Sequence, residues 1–148
     1  MNKMGALSLY ERDFFAWTQE QAKLIKEKSL DKLDLVNLLE EVESMGKHEK
    51  RELGNRLAIL LMHLLKWKYQ PEYRGNSWYI TIENQRLDIA DLIEDNPSLK
   101  HSLPELFIKA YVKAIAKASL ETGIKKAAFP INCEWTVEQV INEDFFPT

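Results

Sequence analysis

The segment from Leu57 to Leu65 limits the fold most strongly, because nearly every position in it is apolar. Around it, apolar residues recur at i, i+4, i+7, i+11 and i+14, which is helical spacing: Leu53, Leu57, Leu60, Leu64 and Trp67. A helix that is apolar on every side is buried on every side. The pattern therefore predicts a central helix, enclosed by other helices of the chain and ending near Gln70 and Pro71.

Two helices are predicted before the central one. Ser8 and Glu11 form a Ser-x-x-Glu capping box, which indicates a first helix running to about Lys28. Asp34 suits the N-cap of a second helix. The apolar residues of this second helix share one face: Leu35, Leu38, Leu39, Val42 and Met45. Gly46 either ends this helix or lies within a longer one, and the sequence leaves both open.

Three helices are predicted after the central one. Asn76 or Ser77 is expected to cap a fourth helix. A fifth helix has Pro104 in its first turn, where the missing N–H is no loss, and Gly123 just past its end. Thr136 opens a second capping box before a short last helix.

Together these signals predict an all-α fold, a compact bundle of four to five main helices with a short C-terminal helix and an anchored tail. Phe145 and Phe146 are the predicted anchors of that tail. A length of 148 residues is typical of one domain. Residues 1–148 are therefore predicted to form a single helical-bundle domain.

Composition restricts the compartment and the kinds of partner. Cys133 is the single cysteine, so the chain has no internal disulfide, and a reducing cytoplasmic location is predicted. The N-terminus lacks the pattern of a signal peptide. The longest uninterrupted apolar run, residues 57–62, is far shorter than the ~20 residues that span a bilayer, so no membrane association is predicted.

No spacing in the sequence dictates a reaction. The chain lacks a nucleophile elbow, a phosphate-binding loop, a His-Glu-x-x-His motif and paired metal-binding cysteines. We therefore predict no cofactor and no metal, and leave enzymatic activity undecided. If the second and central helices packed antiparallel, Glu41 would reach His63, and such a pair is the raw material of a metal site in a bundle.

The segment from His63 to Arg86 is the predicted location of a polar site, because polar and aromatic residues are concentrated there. With Glu41 added, the candidate residues are Glu41, His63, Trp67, Arg74, Trp78, Gln85 and Arg86. One interpretation is a buried network that fixes helix register, in which Glu41 or Glu43 pairs with Arg86. The other is a pocket for an anion or a polar small molecule.

The two tryptophans of this segment have two interpretations of their own. Trp67 and Trp78 flank the loop that contains Arg74. They either hold that loop against the bundle or form an aromatic platform for a nucleotide or nucleic acid, with Arg74 and Lys68 supplying charge.

Basic residues are concentrated in two parts of the chain. Between positions 47 and 74 seven basic residues stand against three acidic ones, and Lys109, Lys113 and Lys117 repeat at i, i+4 and i+8. Solvated helix faces explain both groups, and the net charge of −3 argues against a dedicated nucleic-acid binder. Nucleic-acid binding is thus possible but not favoured, and it requires both groups to share a face.

Six segments of the chain together resemble the domain-of-unknown-function family 29 of cyanobacteria and other bacteria. The segments are YERDFFAWTQEQAKLI (10–25), DLVNLLEEVESMGKHEKREL (34–53), HLLKWKYQPEYRGNSW (63–78), IENQR (82–86), DNPSL (95–99) and FPINCEWTVEQVINEDFFP (129–147). The resemblance implies an all-helical fold and no particular activity. The family commonly has proline after the tail cysteine, where this chain has Glu134.

The positions that resemble the family motif are Glu40, Glu41, Glu43, Gly46, His63, Lys66, Trp67, Gln70, Pro71, Arg74, Ser77, Trp78 and Arg86. Because helical signals are complete and a chemical signature is missing, the favoured function is a protein-interaction or regulatory module. Its expected partner is another protein or a second copy of the chain. The alternative is binding of a small molecule, metal or nucleic acid, with or without catalysis, around His63, Glu41, Arg74 and Arg86.

Overall fold

The fold is described from a computed structural model, which describes residues 7–148. Within that range the regular structure is helical and contains no strand, so the predicted all-α class is confirmed. Four helices are long, as predicted, and two are short. In chain order they are α1 (Leu9–Arg12), α2 (Phe14–Lys26), α3 (Leu35–Tyr69), α4 (Asn76–Asp95), α5 (Leu103–Thr122) and α6 (Val137–Ile141). No helix in residues 7–148 combines the length and apolarity needed to cross a membrane.

Contacts within the chain divide it into two compact units, Met1–Lys47 and His48–Thr148. The N-terminal unit contains α1, α2 and the beginning of α3, and the C-terminal unit contains the remainder of α3 and all later elements. Each unit is described by itself below. The single domain expected from chain length stays a prediction.

The N-terminal unit begins with the predicted capping box of Ser8 and Glu11, which is confirmed. The prediction of one first helix to about Lys28 is wrong, because α1 ends at Arg12 and α2 starts at Phe14. Asp13 causes the break: its backbone is extended, with φ −150° and ψ 87°, and its carboxylate caps α2 by accepting from the Ala16 N–H at 3.0 Å. Aspartate competes with the helix by such local hydrogen bonds.

Gly46 does not end a helix. The predicted second and central helices are one continuous helix, α3, of 35 residues. A single glycine inside a helix costs about 1 kcal/mol relative to alanine, which the flanking helix-forming residues offset. The sequence left this point open, and α3 resolves it.

The C-terminal unit encloses the second half of α3. The large side chains below 2% exposure lie mostly on this helix, with partners on α4 and α6: Leu53, Leu57, Leu60, Leu61, Leu64, Ile82, Ile89 and Val140. The predicted central helix is therefore confirmed. From α5, Phe107, Tyr111 and Ala114 join the same core.

The ends of the later helices follow the sequence signals with one exception. Pro104 lies in the first turn of α5, Gly123 closes that helix with φ 79°, and Thr136 forms the predicted capping box at α6. The predicted cap of α4 by Asn76 or Ser77 is wrong: the N-cap residue is Gly75, and no side chain caps this end. Glycine is accepted at that position with little loss.

Candidate functional site

Arg86 on α4 is buried, with 4% of its surface exposed, and it holds the C-terminal tail. Its Nε donates to the Val140 carbonyl at 2.9 Å, Nη1 to Glu143 at 3.3 Å and Nη2 to Phe145 at 2.7 Å. Burial lowers the pKa of Arg86, since the charged guanidinium loses water there. The guanidinium thus satisfies three carbonyls at and beyond the end of α6.

The predicted pairing of Arg86 with Glu41 or Glu43 is not what the structure contains. The nearest carboxylate is that of Glu83, one turn earlier on α4, with Oε1 3.8 Å from Arg86 Nη1. That distance is too long for a hydrogen bond, so Glu83 contributes charge only. The carbonyl partners of Arg86 lie 54 to 59 residues away in sequence, and no local pattern indicates them.

The loop after α3 is fixed by Arg74 and the aromatic residues beside it. Arg74 Nε donates to the Trp67 carbonyl at 2.6 Å, and its guanidinium carbon is 5.4 Å from the centroid of the Trp67 ring. The same ring is 4.9 Å from Phe146 in the tail. Trp67 therefore links the loop to the tail, as expected for an indole that holds the loop in place.

Trp78 belongs to a different cluster, built around Lys66. Lys66 is buried, its Nζ lies 4.9 Å from the Trp78 ring, and it binds Glu121 Oε1 on α5 at 2.8 Å. This hydrogen bond lowers the pKa of the Glu121 carboxyl. Glu121 lies 55 residues from Lys66 in sequence and carries no motif, so the sequence does not indicate this pairing.

His63 lies next to this cluster and is half-buried. Its Nδ1 is 2.9 Å from the Ile59 carbonyl, so Nδ1 carries the proton and Nε2 is the free acceptor. Burial is the main cause that lowers the pKa of His63, and the Lys66 charge lowers it further. The imidazole is therefore neutral at physiological pH.

The lowered pKa of His63 predicts a loss of stability in mild acid. Above the ordinary value of 6.5 both folded and unfolded imidazoles are neutral, so His63 contributes no pH dependence there. Below it the unfolded chain binds a proton first, and the folded state loses stability as pH falls. We expect His63→Asn to reduce this loss between about pH 7 and pH 5, as measured by urea unfolding. Equal slopes for the wild type and the variant would contradict the prediction.

Gln85 is half-buried on α4 and faces α3. Its Oε1 accepts from Arg56 Nη1 at 3.4 Å, and the same guanidinium binds Glu52 at 2.7 Å and Asp88 at 2.8 Å. Gln85 thus belongs to a charged network between α3 and α4, at the surface of the C-terminal unit.

Glu41 lies in the N-terminal unit, where it accepts a hydrogen bond from the Tyr10 hydroxyl. This bond raises the pKa of Tyr10 to about 12, because the carboxylate stabilises the protonated phenol. Glu41 and His63 lie on one helix, so the antiparallel arrangement that would bring them together does not exist.

The structure therefore does not assemble the predicted network of Glu41, His63, Gln85 and Arg86. Their hydrogen-bond partners are respectively Tyr10, Ile59, Arg56 and the tail carbonyls. In the described part of the chain, no hydrogen bond joins any two of the four. Ligand binding by these residues stays a prediction.

The N-terminal unit contains an open apolar groove of about 330 Å³ between α2 and the first turns of α3. Its walls are mainly aromatic and aliphatic, and the largest of these residues are Phe14, Trp17, Ile25, Leu38, Val42 and Met45. At one end of the groove, hydrogen bonds join α2 to Asp34, just before α3. Trp17 Nε1 donates to Asp34 Oδ2 at 2.9 Å, and Gln21 Oε1 accepts from the Asp34 N–H at 2.8 Å.

Exposed apolar side chains are concentrated in this unit. Of the large hydrophobic residues that are exposed, ten lie in residues 7–47 and eight in the much longer range 48–148. Five of the ten lie on α3 with exposures between 57% and 79%: Leu35, Val36, Leu39, Val42 and Met45. Such concentrations mark interaction surfaces in native proteins. We call the helix pair of α2 and the first turns of α3 the hairpin. The apolar groove between these helices, together with the five exposed α3 residues as its rim, is called the hairpin groove and is the candidate functional site.

Comparison with protein families identifies the chain. A family model described as "Domain of unknown function DUF29" matches residues 9–146. The chain belongs to the DUF29 family. Comparison of this DUF29 protein with curated proteins and with solved structures found no significant match.

The tail of this DUF29 protein contains the position where proline was expected. Glu134 stands there, and its carboxylate binds Lys68 Nζ at 2.8 Å. The hydrogen bond raises the pKa of Lys68. Several positions that suggested the family, namely Lys66, Trp67 and Arg86, likewise connect α3 and α4 to α5 or the tail. In this chain these three residues join helices and tail within the C-terminal unit.

Proposed function

We propose that this DUF29 protein is a protein-interaction module that self-associates through the hairpin groove. The observation that carries the proposal is the concentration of ten exposed large apolar residues in residues 7–47. Burying apolar surface is favourable by about 25 cal/mol per Å². Covering these exposed side chains with a second molecule would therefore lower the free energy. Two helices that pack against each other bury only one side of each, so the apolar residues on the other sides of α2 and of the first turns of α3 are exposed.

The spacing of the apolar residues on α3 favours a second copy of the hairpin as the occupant of the groove. Leu35, Leu38, Val42 and Met45 recur on α3 at alternating spacings of three and four, as in the contact seam of paired helices. Two hairpins packed across such seams form a four-helix bundle, a common stable arrangement. A two-fold dimer places the same patch on both copies, so one self-complementary surface suffices.

The charge distribution along the hairpin supports an antiparallel pair. Residues 23–32, around the connection of α2 to α3, carry four lysines and two acids. Residues 34–46 carry four acids and no basic residue, with Glu40, Glu41 and Glu43 grouped together. In an antiparallel dimer the basic end of one hairpin lies beside the acidic segment of the other. Such complementarity fixes orientation and speeds association.

The expected result is a concentration-dependent dimer that one added charge weakens. Val42→Asp places a carboxylate in the seam, beside Glu41, and should weaken dimerisation at least tenfold, because burying an unpaired charge is costly. Val112→Asp is the matched control, since Val112 on α5 is similarly exposed, at 64% against 57% for Val42. Sedimentation equilibrium of the three proteins measures the effect. A wild-type protein that stays monomeric at high concentration, or equal effects of both variants, would overturn the proposal.

The compartment we propose is the cytoplasm. The support is the single thiol of Cys133, half-buried between the tail and α5, whose pKa is raised by burial. A thiol in that state is unreactive and suits a reducing environment. Fractionation of cells that express the protein tests this assignment, and recovery in a membrane or extracellular fraction would contradict it.

A further inference from the structure

Two basic segments that are far apart in sequence meet in the C-terminal unit. Arg51 and Asn55 on α3 line one side of a groove of about 110 Å³, and Lys109 and Lys113 on α5 line the other. All four side chains belong to exposed residues. Arg51 of the first basic group therefore shares a face with Lys109 and Lys113 of the second, which meets only in part the condition that nucleic-acid binding imposed on the sequence. Arg56, Lys66 and Lys68 of the first group pair with acids that do not line this groove.

The floor of this basic groove is low because small residues line it. Gly54 and Ala110 lie between the four polar side chains, together with Leu106. A Cβ at position 54 would be 3.5 Å from Leu106 Cδ2, so any larger side chain there would occupy the groove. An anion can consequently approach between the two helices and meet cations from both.

The cations of the groove have no carboxylate within ion-pair distance among the described residues. No carboxylate lines the groove. The acids beside it are already paired, Glu105 with Lys50 Nζ at 2.8 Å and Glu52 with Arg56 at 2.7 Å. Across the described residues, no ion pair holds the three groove cations, Arg51, Lys109 and Lys113. Three free positive charges thus lie together in a chain whose net charge is −3.

We propose that this basic groove binds the phosphodiester backbone of duplex nucleic acid, independently of sequence. Residues four apart on a helix are separated by about 6 Å along its axis, close to the ~7 Å by which alternate phosphates of one strand rise along the duplex axis. The groove has no aromatic lining, so it offers no platform for unstacked bases. Contacts to phosphate alone position a protein on a duplex without reading its bases.

The experiment measures binding of the full chain to a fluorescein-labelled DNA duplex and to an RNA duplex of the same sequence. Fluorescence anisotropy is recorded at about 50 and 200 mM salt, for the wild type and for the triple variant Arg51→Gln, Lys109→Gln, Lys113→Gln. We expect at least tenfold weaker binding by the triple variant at the lower salt. The slope of log affinity against log salt should fall by about 2.7, the value for three lost phosphate contacts.

The control removes the same charge elsewhere in the same unit, with Lys100→Gln, Lys125→Gln and Lys126→Gln. All three of those lysines are exposed, and the control should bind as the wild type does. Arg51→Lys keeps the charge and should retain affinity. Circular dichroism verifies the helix content of every variant. Three results would each overturn the proposal: no wild-type binding at the lower salt, equal weakening by both triple variants, or displacement of the duplex by polyglutamate at equal charge concentration. Preference for DNA over RNA, or the reverse, identifies the source of the backbone.

Discussion

Replacing Arg86 with methionine is expected to lower the free energy of unfolding by about 3–5 kcal/mol. The guanidinium makes three hydrogen bonds to tail carbonyls and lies 5.2 Å from the Phe146 ring. Hydrogen bonds to a charged group contribute about 1.5–3 kcal/mol each, and carbonyls left without a donor lose more. Methionine retains much of the apolar stem and removes the donors together with the positive charge, so the loss reports on the hydrogen bonds and on the charge that faces Glu83.

A second variant of Arg86 and a control at another arginine separate the charge from the hydrogen bonds. Arg86→Lys keeps the charge, but an ammonium lacks the planar fork that reaches several carbonyls at once, so most of the loss should remain. Arg12→Met, at an exposed site on α1, is the control and should change stability by less than about 0.5 kcal/mol. Urea unfolding gives the free energies, and hydrogen exchange should show faster exchange at residues 140–146 in the Arg86 variants. A loss below about 1 kcal/mol for Arg86→Met would show that the tail is held by its aromatic side chains instead.

The sequence predicts the helices of this chain well where the signal is local. Capping boxes at Ser8 and Thr136 and the breakers Pro104 and Gly123 act through neighbouring backbone groups, and each is found in its predicted place. Asp13 and Gly46 show the limit of such rules. Both residue types often interrupt helices. Asp13 separates α1 from α2 by capping α2, whereas Gly46 lies inside the continuous helix α3. The outcome depends on a small energetic balance that the pattern does not contain.

The partners of the predicted polar residues are harder to predict, since they are distant in sequence or lack a motif. The sequence places Arg86 on the flank of an apolar helix face, and its partners in the structure are main-chain carbonyls, which every residue has. The sequence does not indicate that Glu121 binds Lys66 or that Tyr10 binds Glu41. Sequence also cannot separate an apolar stripe that is buried from one that is not. The stripes of α3 before and after Gly46 have the same helical period, and only the second is enclosed.

The difference in burial between the two halves of α3 can be tested with Leu57 and Leu39, which lie on this one helix. Leu57 has no exposed surface and Leu39 is 60% exposed. Leu57→Ala should lower the free energy of unfolding by about 3–5 kcal/mol, through lost apolar transfer and the cavity left behind. Leu39→Ala should cost less than about 0.5 kcal/mol in the monomer, because the same atoms are already in water.

The order of the two effects should reverse when the dimer affinity is measured instead of the free energy of unfolding. Leu39→Ala removes apolar area from the rim of the hairpin groove and should weaken the dimer, whereas Leu57→Ala leaves that rim unchanged. Unfolding in urea at low protein concentration and sedimentation equilibrium give the two readouts. If Leu57→Ala proves too unstable, Leu57→Met keeps the volume and should cost less than about 1.5 kcal/mol. Equal stability losses for the two alanine variants would mean that Leu39 is buried within the monomer. The hairpin groove would then be part of the core, and the proposed dimer would lose its surface.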